Sequence, residues 1–299
     1  MSKDEFLRSY HAASKKLAEA YDRVHVKGTY RRFGWPADDG RDQIRQYEVW
    51  KSGDMVRAQY VLIHGNSAQE GRRAAQVATP QRAFLVGRTA DQSGFSVTDA
   101  ETPYKDALER AYGGCAAPIA PFALFSSTVE EWITDPRFEI TSIDEVVEDG
   151  EKIVSVAFHW KTTKVDGTPG FYACNISFFP EKSWAVREYS MGVKESRFGH
   201  WGRVTYAGER AGAPLVKRIE KWDQKSDGTQ TMREEFAVES FDADPVDPAL
   251  FTLASFGIGD IIEQTGNRRR YYLLLAAGAV LLFLPFVIRT IQGRRRSPG

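Results

Sequence analysis

Residues 153–161 read IVSVAFHWK, and their side chains alternate between apolar and mixed character. The apolar positions are Val154, Val156, Phe158 and Trp160. Because successive side chains of a strand point to opposite faces, this pattern predicts a strand with one buried face. Residues 170–179 and 55–63 alternate in the same way. The repeated pattern predicts a sheet with one buried side.

Turn signals separate these segments along the chain. Asp149-Gly150 and Asp227-Gly228 supply the positive φ that tight hairpins need. Short connections make neighbouring strands antiparallel, and a large antiparallel sheet twists and curls. The predicted strands are 24–33, 43–51, 55–63, 73–79, 82–89, 94–99, 137–147, 152–163, 170–179, 184–191, 200–208, 214–223 and 229–241. The predicted fold is mainly β (α+β), with about a dozen strands in one curled sheet, a half-barrel.

Two regions interrupt this strand pattern with helical signals. Residues 2–23 predict an amphipathic helix, because Ser2 and Glu5 have the capping-box spacing. Its apolar stripe consists of Phe6, Tyr10, Ala13, Leu17 and Tyr21. Residues 104–135 form an apolar helical insert, with a capping signal at Thr128 and Glu131. These two regions cover only part of the concave face, so either an open apolar groove or a filled core remains.

The C-terminal region predicts a membrane-spanning helix. Residues 271–288 read YYLLLAAGAVLLFLPFVI, which as a helix of about 1.5 Å per residue approaches the thickness of the hydrocarbon core. Aromatic and basic residues flank the span: Arg268, Arg269, Arg270, Tyr271, Tyr272, Arg289, Arg294, Arg295 and Arg296. We therefore expect a half-barrel domain over 1–257, a linker over 258–270, the span over 271–288 and a basic tail over 289–299.

The sequence constrains the orientation of the large domain relative to the membrane less strongly than it predicts the span. Three arginines precede the span and four follow it, so the charge rule does not decide the orientation. The first 24 residues contain no apolar core of a signal peptide, which favours a C-terminal anchor and a cytoplasmic domain. A leader preceding residue 1 would reverse this expectation.

The order of elements resembles the lipoprotein-carrier half-barrel superfamily. The resemblance rests on an N-terminal helix running into strands (7–33), a strand pair (45–62), a long hairpin (214–230) and the closing segment FDADPVDPALFTLASFGI (241–258). It implies that an acyl chain or another hydrophobic ligand binds in the concave face, with helices as a lid. The ligand-binding positions it implies are Phe122, Phe125, Phe158, Trp160 and Phe178, with plain core packing as the alternative for each.

Composition excludes several other classes of function. The seven arginines after Asn267 leave residues 1–267 with a net charge of −7, and an acidic body is a poor ligand for nucleic acid. The five histidines lack metal-ligand spacing, and no nucleophile elbow or phosphate loop occurs. Cys115 and Cys174 are expected to be free buried thiols, with a disulfide as the alternative.

These observations predict a membrane-anchored, non-enzymatic domain that binds a lipid, with no cofactor and no metal. The alternative is a protein-interaction or envelope-sensing module with a filled core. The arginine clusters can either anchor the span or bind anionic headgroups.

Overall fold

The predicted alternation becomes one large antiparallel sheet. In a computed structural model of the chain, the described residues are 1–34, 42–65, 69–100, 103–114, 116–121, 123–124, 127–160, 171–193, 198–225 and 229–259. Within them, thirteen strands form one open sheet and two short strands form a separate hairpin. Each strand pair is antiparallel, as the short connections require.

The strands follow the predicted segments closely and extend several of them by one or two residues at an end, whereas the strands predicted over 82–89 and 94–99 are one and two residues shorter than predicted. Residues 161–163 and 170 of the predicted strands lie outside the described residues. The first six strands are β1 Arg23–Phe33, β2 Gln43–Ser52, β3 Met55–His64, β4 Arg73–Thr79, β5 Arg82–Arg88 and β6 Ser96–Asp99. The short hairpin is β7 Ala123–Leu124 and β8 Ser127–Thr128. The remaining strands are β9 Phe138–Glu148, β10 Glu151–Trp160, β11 Phe171–Phe179, β12 Ala185–Val193, β13 Phe198–Arg210, β14 Ala213–Lys225 and β15 Gln230–Asp242.

The first and last strands, β1 and β15, are neighbours in the middle of the sheet. The order across the sheet is β6-β5-β4-β3-β2-β1-β15-β14-β13-β12-β11-β10-β9. β1 pairs with β2 on one side and with β15 on the other, so the first and last strands meet in the middle. β6 and β9 are the two edges of the large sheet, yet they follow one another along the chain among its strands. The insert between Asp99 and Phe138 therefore has to cross the sheet from one edge to the other.

The N-terminal helix begins where its capping box predicts. Helix α1 spans Lys3–Ala20; the Ser2 side chain accepts a hydrogen bond from the Glu5 amide, and Glu5 bonds back to Ser2. Phe6, Tyr10 and Leu17 are buried, as the stripe predicts. The helix stops three residues before the predicted end, because Tyr21 and Asp22 turn the chain into β1.

The insert consists of short pieces. Helix α2 spans Tyr104–Gly113, a 3-10 turn spans Ala117–Ile119, and α3 spans Val129–Thr134. The predicted capping box at Thr128 and Glu131 is confirmed. The 3-10 turn contacts β1, β14 and β15, the middle strands of the sheet. The insert thus lies on the same face as α1, which we call the inner face.

The outer face is buried at one side of the sheet, which the alternation did not predict. Arg57, at an outer-face position, is only 7% exposed and donates a hydrogen bond to the Leu250 carbonyl oxygen at 2.9 Å. Val77 and Val86 share this face and are also buried. The 3-10 turn Pro248–Phe251 contacts β3 and β4 and provides the cover. Strands β4 and β5 are therefore buried on both faces.

The chain divides into a compact unit Met1–Phe251 and a second unit Thr252–Gly299. In the second unit the structure describes 252–259, which contain a 3-10 turn Leu253–Phe256 closed by Gly257 with φ 73°. The predicted span 271–288, the basic tail and the arginines and tyrosines that flank the span lie outside the described residues. Among the residues that are described, no helix is long and apolar enough to cross a membrane.

Candidate ligand-binding face

An aromatic cluster fills one part of the inner face. Phe178 of β11 lies 5.8 Å from Phe6 and 5.3 Å from Tyr10, ring centre to ring centre. Trp132 of α3 lies 6.0 Å from Phe158 of β10. Phe158 and Phe178 are 0% and 1% exposed. Because α1 and α3 occupy the space above these two rings, the predicted site residues Phe158 and Phe178 are packed core positions in this conformation.

The other predicted site residues lie at the margin of this cluster or beyond it. Trp160, the last residue of β10, is half-buried, 4.8 Å from Trp132, with the Arg137 guanidinium 4.9 Å from its ring. Its Nε1 is buried and donates no hydrogen bond to a described residue. Phe122 and Phe125 lie outside the described residues. A ligand-binding role for the five aromatic residues stays a prediction.

A second apolar cluster lies under the insert, in the middle of the sheet. Its floor includes Tyr47 of β2 and Phe236 of β15, whose rings are 6.2 Å apart. Gly28 makes room for it, because a Cβ atom there would lie 2.5 Å from the Tyr47 hydroxyl oxygen. The insert covers this floor with three alanines and one larger residue: Ala111, Ala116, Ala117 and Ile119.

Polar side chains replace apolar ones at one end of the inner face. In β1 the inner positions run Val24, Val26, Gly28 and Tyr30, and then reach Arg32. The same change occurs on the neighbouring strands. We call these residues the polar belt: Arg32, Gln43, Arg45, His200, Lys221, Asp223 and Glu234. They belong to the strand ends farthest from the tight turns at 53 and 212.

Hydrogen bonds and ring contacts hold the belt in place. The Tyr30 hydroxyl donates to Glu234 Oε1 at 2.6 Å, and burial followed by the Glu234 charge raises the pKa of Tyr30. Arg45 Nη2 donates to Gln43 Oε1 at 2.7 Å. His200 Nδ1 lies 2.6 Å from Asp223 Oδ1.

Arg45 lies on β2, at one end of the belt. Its guanidinium lies 4.7 Å from the ring centre of Tyr60 and 5.4 Å from that of Tyr30. Its Nε is buried and donates no hydrogen bond to a described residue. A guanidinium presents several donors in a fixed plane, so it can bind an anionic oxygen bidentately.

The alternation of apolar and polar residues did not predict the belt, although the sequence contains a sign of it. At the inner positions of β1, β2, β14 and β15, alternation continues while the residue type changes from apolar to charged. The change becomes recognisable as a polar rim only once the strand pairing shows that these positions are neighbours. Among the described residues, no group of three His, Cys, Asp or Glu side chains could hold a metal ion.

Comparison with solved structures identifies the fold. An outer membrane lipoprotein-sorting protein domain from Vibrio parahaemolyticus is similar over 84% of this chain and 97% of its own, with a TM-score of 0.51 and 8% identity. The chain has the lipoprotein-carrier fold. A LolA superfamily protein from Nitrosomonas europaea is similar over 82% of this chain and 98% of its own, with a TM-score of 0.47 and 11% identity.

The resemblance to the lipoprotein-carrier superfamily is thus confirmed for the fold. A DUF1329 family protein from Desulfovibrio piger has a TM-score of 0.47 and 10% identity, over 83% of this chain and 98% of its own. No family model and no curated protein matches the sequence. At these identities the similarity shows the fold alone.

Proposed function

We propose that this chain is a non-enzymatic, membrane-held domain that binds an anionic amphiphile, such as a fatty acid, on the inner face of its sheet. The observation that carries the proposal is the arrangement of that face, where an apolar floor under an alanine-rich cover adjoins a polar belt that contains Arg32 and Arg45. An acyl chain matches the floor, and a carboxylate or phosphate headgroup matches Arg45.

The cover over the floor is the segment 116–120. Its buried residues are three alanines, Pro118 and Ile119, whereas α1 is held by Phe6, Tyr10 and Leu17. Because stabilisation by burial scales with the apolar area removed from water, displacing the alanine-rich segment costs less than displacing α1. The segment 116–120 is therefore the lid, and α1 is a fixed part of the wall.

Helix α2 provides the anchor of this lid. Gln76 Nε2 of β4 donates to the Ala107 carbonyl oxygen at 2.8 Å, and the Tyr104 hydroxyl donates to the Asp54 carbonyl oxygen at 2.6 Å. These contacts fix α2 to the sheet while 116–120 moves. Each CH₂ group that a ligand buries contributes about 0.8 kcal/mol, so an acyl chain can replace the contacts that the lid loses.

Membrane attachment forms the second part of the proposal. The apolar stretch 271–288 would tether the domain, and the arginines on both sides would interact with headgroups. A tethered binding domain takes up its ligand from the bilayer that holds it. We place the large domain on the cytoplasmic side. Protease protection of the domain in intact cells supports this placement, and its digestion by protease added outside the cells contradicts it.

Binding is tested by titrating a chain truncated after residue 259 with a fatty acid that carries a fluorophore at its methyl end. We expect saturable binding, weakened about 10- to 100-fold by Arg45→Gln, because a charge-assisted hydrogen bond is worth about 1.5–3 kcal/mol. The matched fatty alcohol should not respond to this substitution. Lys27→Gln, at an exposed outer position, is the control. A flat titration contradicts the proposal.

The edge strand β9 supports a second function, binding of a protein partner. β9 is an edge of the sheet over eleven residues, and Val147 and Val146 are 72% and 43% exposed on it. An edge strand can accept an extended peptide as an additional strand. A photo-crosslinking side chain at position 147 should then capture a partner in cells that the same side chain at position 205 does not. Equal capture at both positions contradicts this function.

A further inference from the structure

A polar pocket lies on the outer face, opposite the amphiphile site. It crosses β10 to β14 and has a volume of about 340 Å³. Its floor consists of short side chains: Ser155 of β10, Asn175 and Ser177 of β11, and Ser190 of β12. Short hydroxyl and amide groups at neighbouring positions leave a depression in a face that elsewhere carries long charged side chains.

Two indoles form one wall of this pocket. Trp201 of β13 and Trp222 of β14 are directly paired across the strands, and both are half-buried. The Trp201 ring lies over Gly199, where an added Cβ atom would come within 2.5 Å of it. Apolar ring surface thus borders the polar floor.

A charged pair borders the pocket next to Trp201. Arg203 Nη2 donates to Glu188 Oε2 at 3.2 Å, and the two residues are direct neighbours across β12 and β13. Because they neutralise each other, the pocket carries no net charge from the residues that line it. Both still offer hydrogen-bonding groups toward the pocket.

The backbone is irregular around this floor. Pairing between β11 and β12 shifts register between Tyr172 and Asn175 and again between Ser177 and Phe178. Ala173, inside the first irregularity, has φ 50°, a left-handed conformation that is costly for a residue with a side chain. Bulges re-aim side chains and are enriched beside functional sites. Here they place Asn175, whose Oδ1 is buried and accepts no hydrogen bond from a described residue.

We propose that this pocket binds a neutral saccharide unit. The C–H face of a sugar ring packs on an indole, while its hydroxyl groups exchange hydrogen bonds with serine, asparagine and the Glu188–Arg203 pair. A lining without net charge favours a ligand without net charge. The volume lies near the lower end of the range for small-molecule sites, about 300–1,000 Å³, which suits one or two sugar rings. The site is independent of the amphiphile site, because it lies on the other face.

Saturation-transfer NMR on the full chain in phosphatidylcholine nanodiscs tests the site. The probes are maltose, cellobiose and diacetylchitobiose at about 10 mM each, because a shallow site of this kind gives millimolar dissociation constants. We expect transfer to the ring C–H protons of at least one probe. Absence of transfer to all three overturns the proposal.

Four variants locate the binding. Trp201→Ala and Trp222→Ala should each lower the transfer about fivefold or more, since the stacking surface is lost. Gly199→Ala should also lower it, because the added methyl group displaces the Trp201 indole without removing a polar group. Thr205→Ala, at an exposed position on the same face of β13, should leave it unchanged. Equal transfer in Trp201→Ala and Thr205→Ala overturns the location.

Discussion

Tyr21 fixes the end of α1 to the sheet through its hydroxyl group. The hydroxyl donates to the Pro214 carbonyl oxygen and accepts from the Val216 amide, both at 2.9 Å, and the side chain is buried. We expect Tyr21→Phe to lower the free energy of unfolding by about 1–3 kcal/mol, because it leaves a buried amide without an acceptor. Urea denaturation measures the loss. Tyr104→Phe, at a half-buried position, should cost less, and an equal loss contradicts this account.

The reactivity of the Cys174 thiol shows whether the aromatic cluster around it opens. Burial raises the pKa of its thiol from 9.0 to about 12. In a Cys115→Ser variant we expect Cys174 to resist Ellman's reagent at pH 8 until urea unfolds the chain. Because the folded state holds the thiol proton more tightly, stability should fall as the pH rises from 9 towards 12. Rapid labelling of the native protein would contradict a closed cluster.

At the scale of elements, α1 is the helix that local signals predict best. Its capping box and its apolar stripe both lie within about 20 consecutive residues, and the structure contains both. We expect Leu17→Ala to destabilise the protein by about 2–5 kcal/mol, since Leu17 is 1% exposed. Lys15→Ala, on the exposed side of the helix, should stay within about 0.5 kcal/mol. Equal effects of the two substitutions, measured by urea denaturation, would show that α1 is not packed as described.

The hairpin of β9 and β10 has a testable pH dependence. Lys152 Nζ lies 2.5 Å from Glu145 Oε2, and this hydrogen bond is the largest cause that lowers the pKa of Glu145 from 4.5 to about 2. The lowered pKa stabilises the folded state above pH 4.5, and this contribution is lost as the pH falls from 4.5 towards 2. We expect Lys152→Met to raise the pKa of Glu145 in a carbon-13 NMR titration. Lys182→Met, which removes the partner of Glu151, should not.

The strands were predictable because alternation and turn residues are local signals, and the structure confirms them from Arg23 to Asp242. The crossing of the insert was not, because it follows from the order of strands across the sheet. β6 and β9 become the two edges only once β1 has paired with β15. The cover over Arg57 has the same origin, since Leu250 is 193 positions away from it in sequence.

At the scale of the whole molecule, strand order also decides where polar side chains gather. Arg32, Arg45 and Glu234 come from three strands, and no motif links them along the chain. They become neighbours because β2, β1 and β15 are adjacent. Trp201 and Trp222 likewise meet on the outer face through the pairing of β13 with β14. Alternation predicts which face a residue occupies, but the pairing of strands decides which residues share a site.

Photo-crosslinking tests the inner-face site most directly. The full chain is irradiated with a fatty acid that carries a diazirine in mid-chain, and the adducts are mapped by mass spectrometry. We predict adducts on Tyr47, on Phe236 or within 116–120, all of which disappear when excess oleate competes. Adducts confined to outer-face residues, or adducts that oleate does not reduce, would contradict the account.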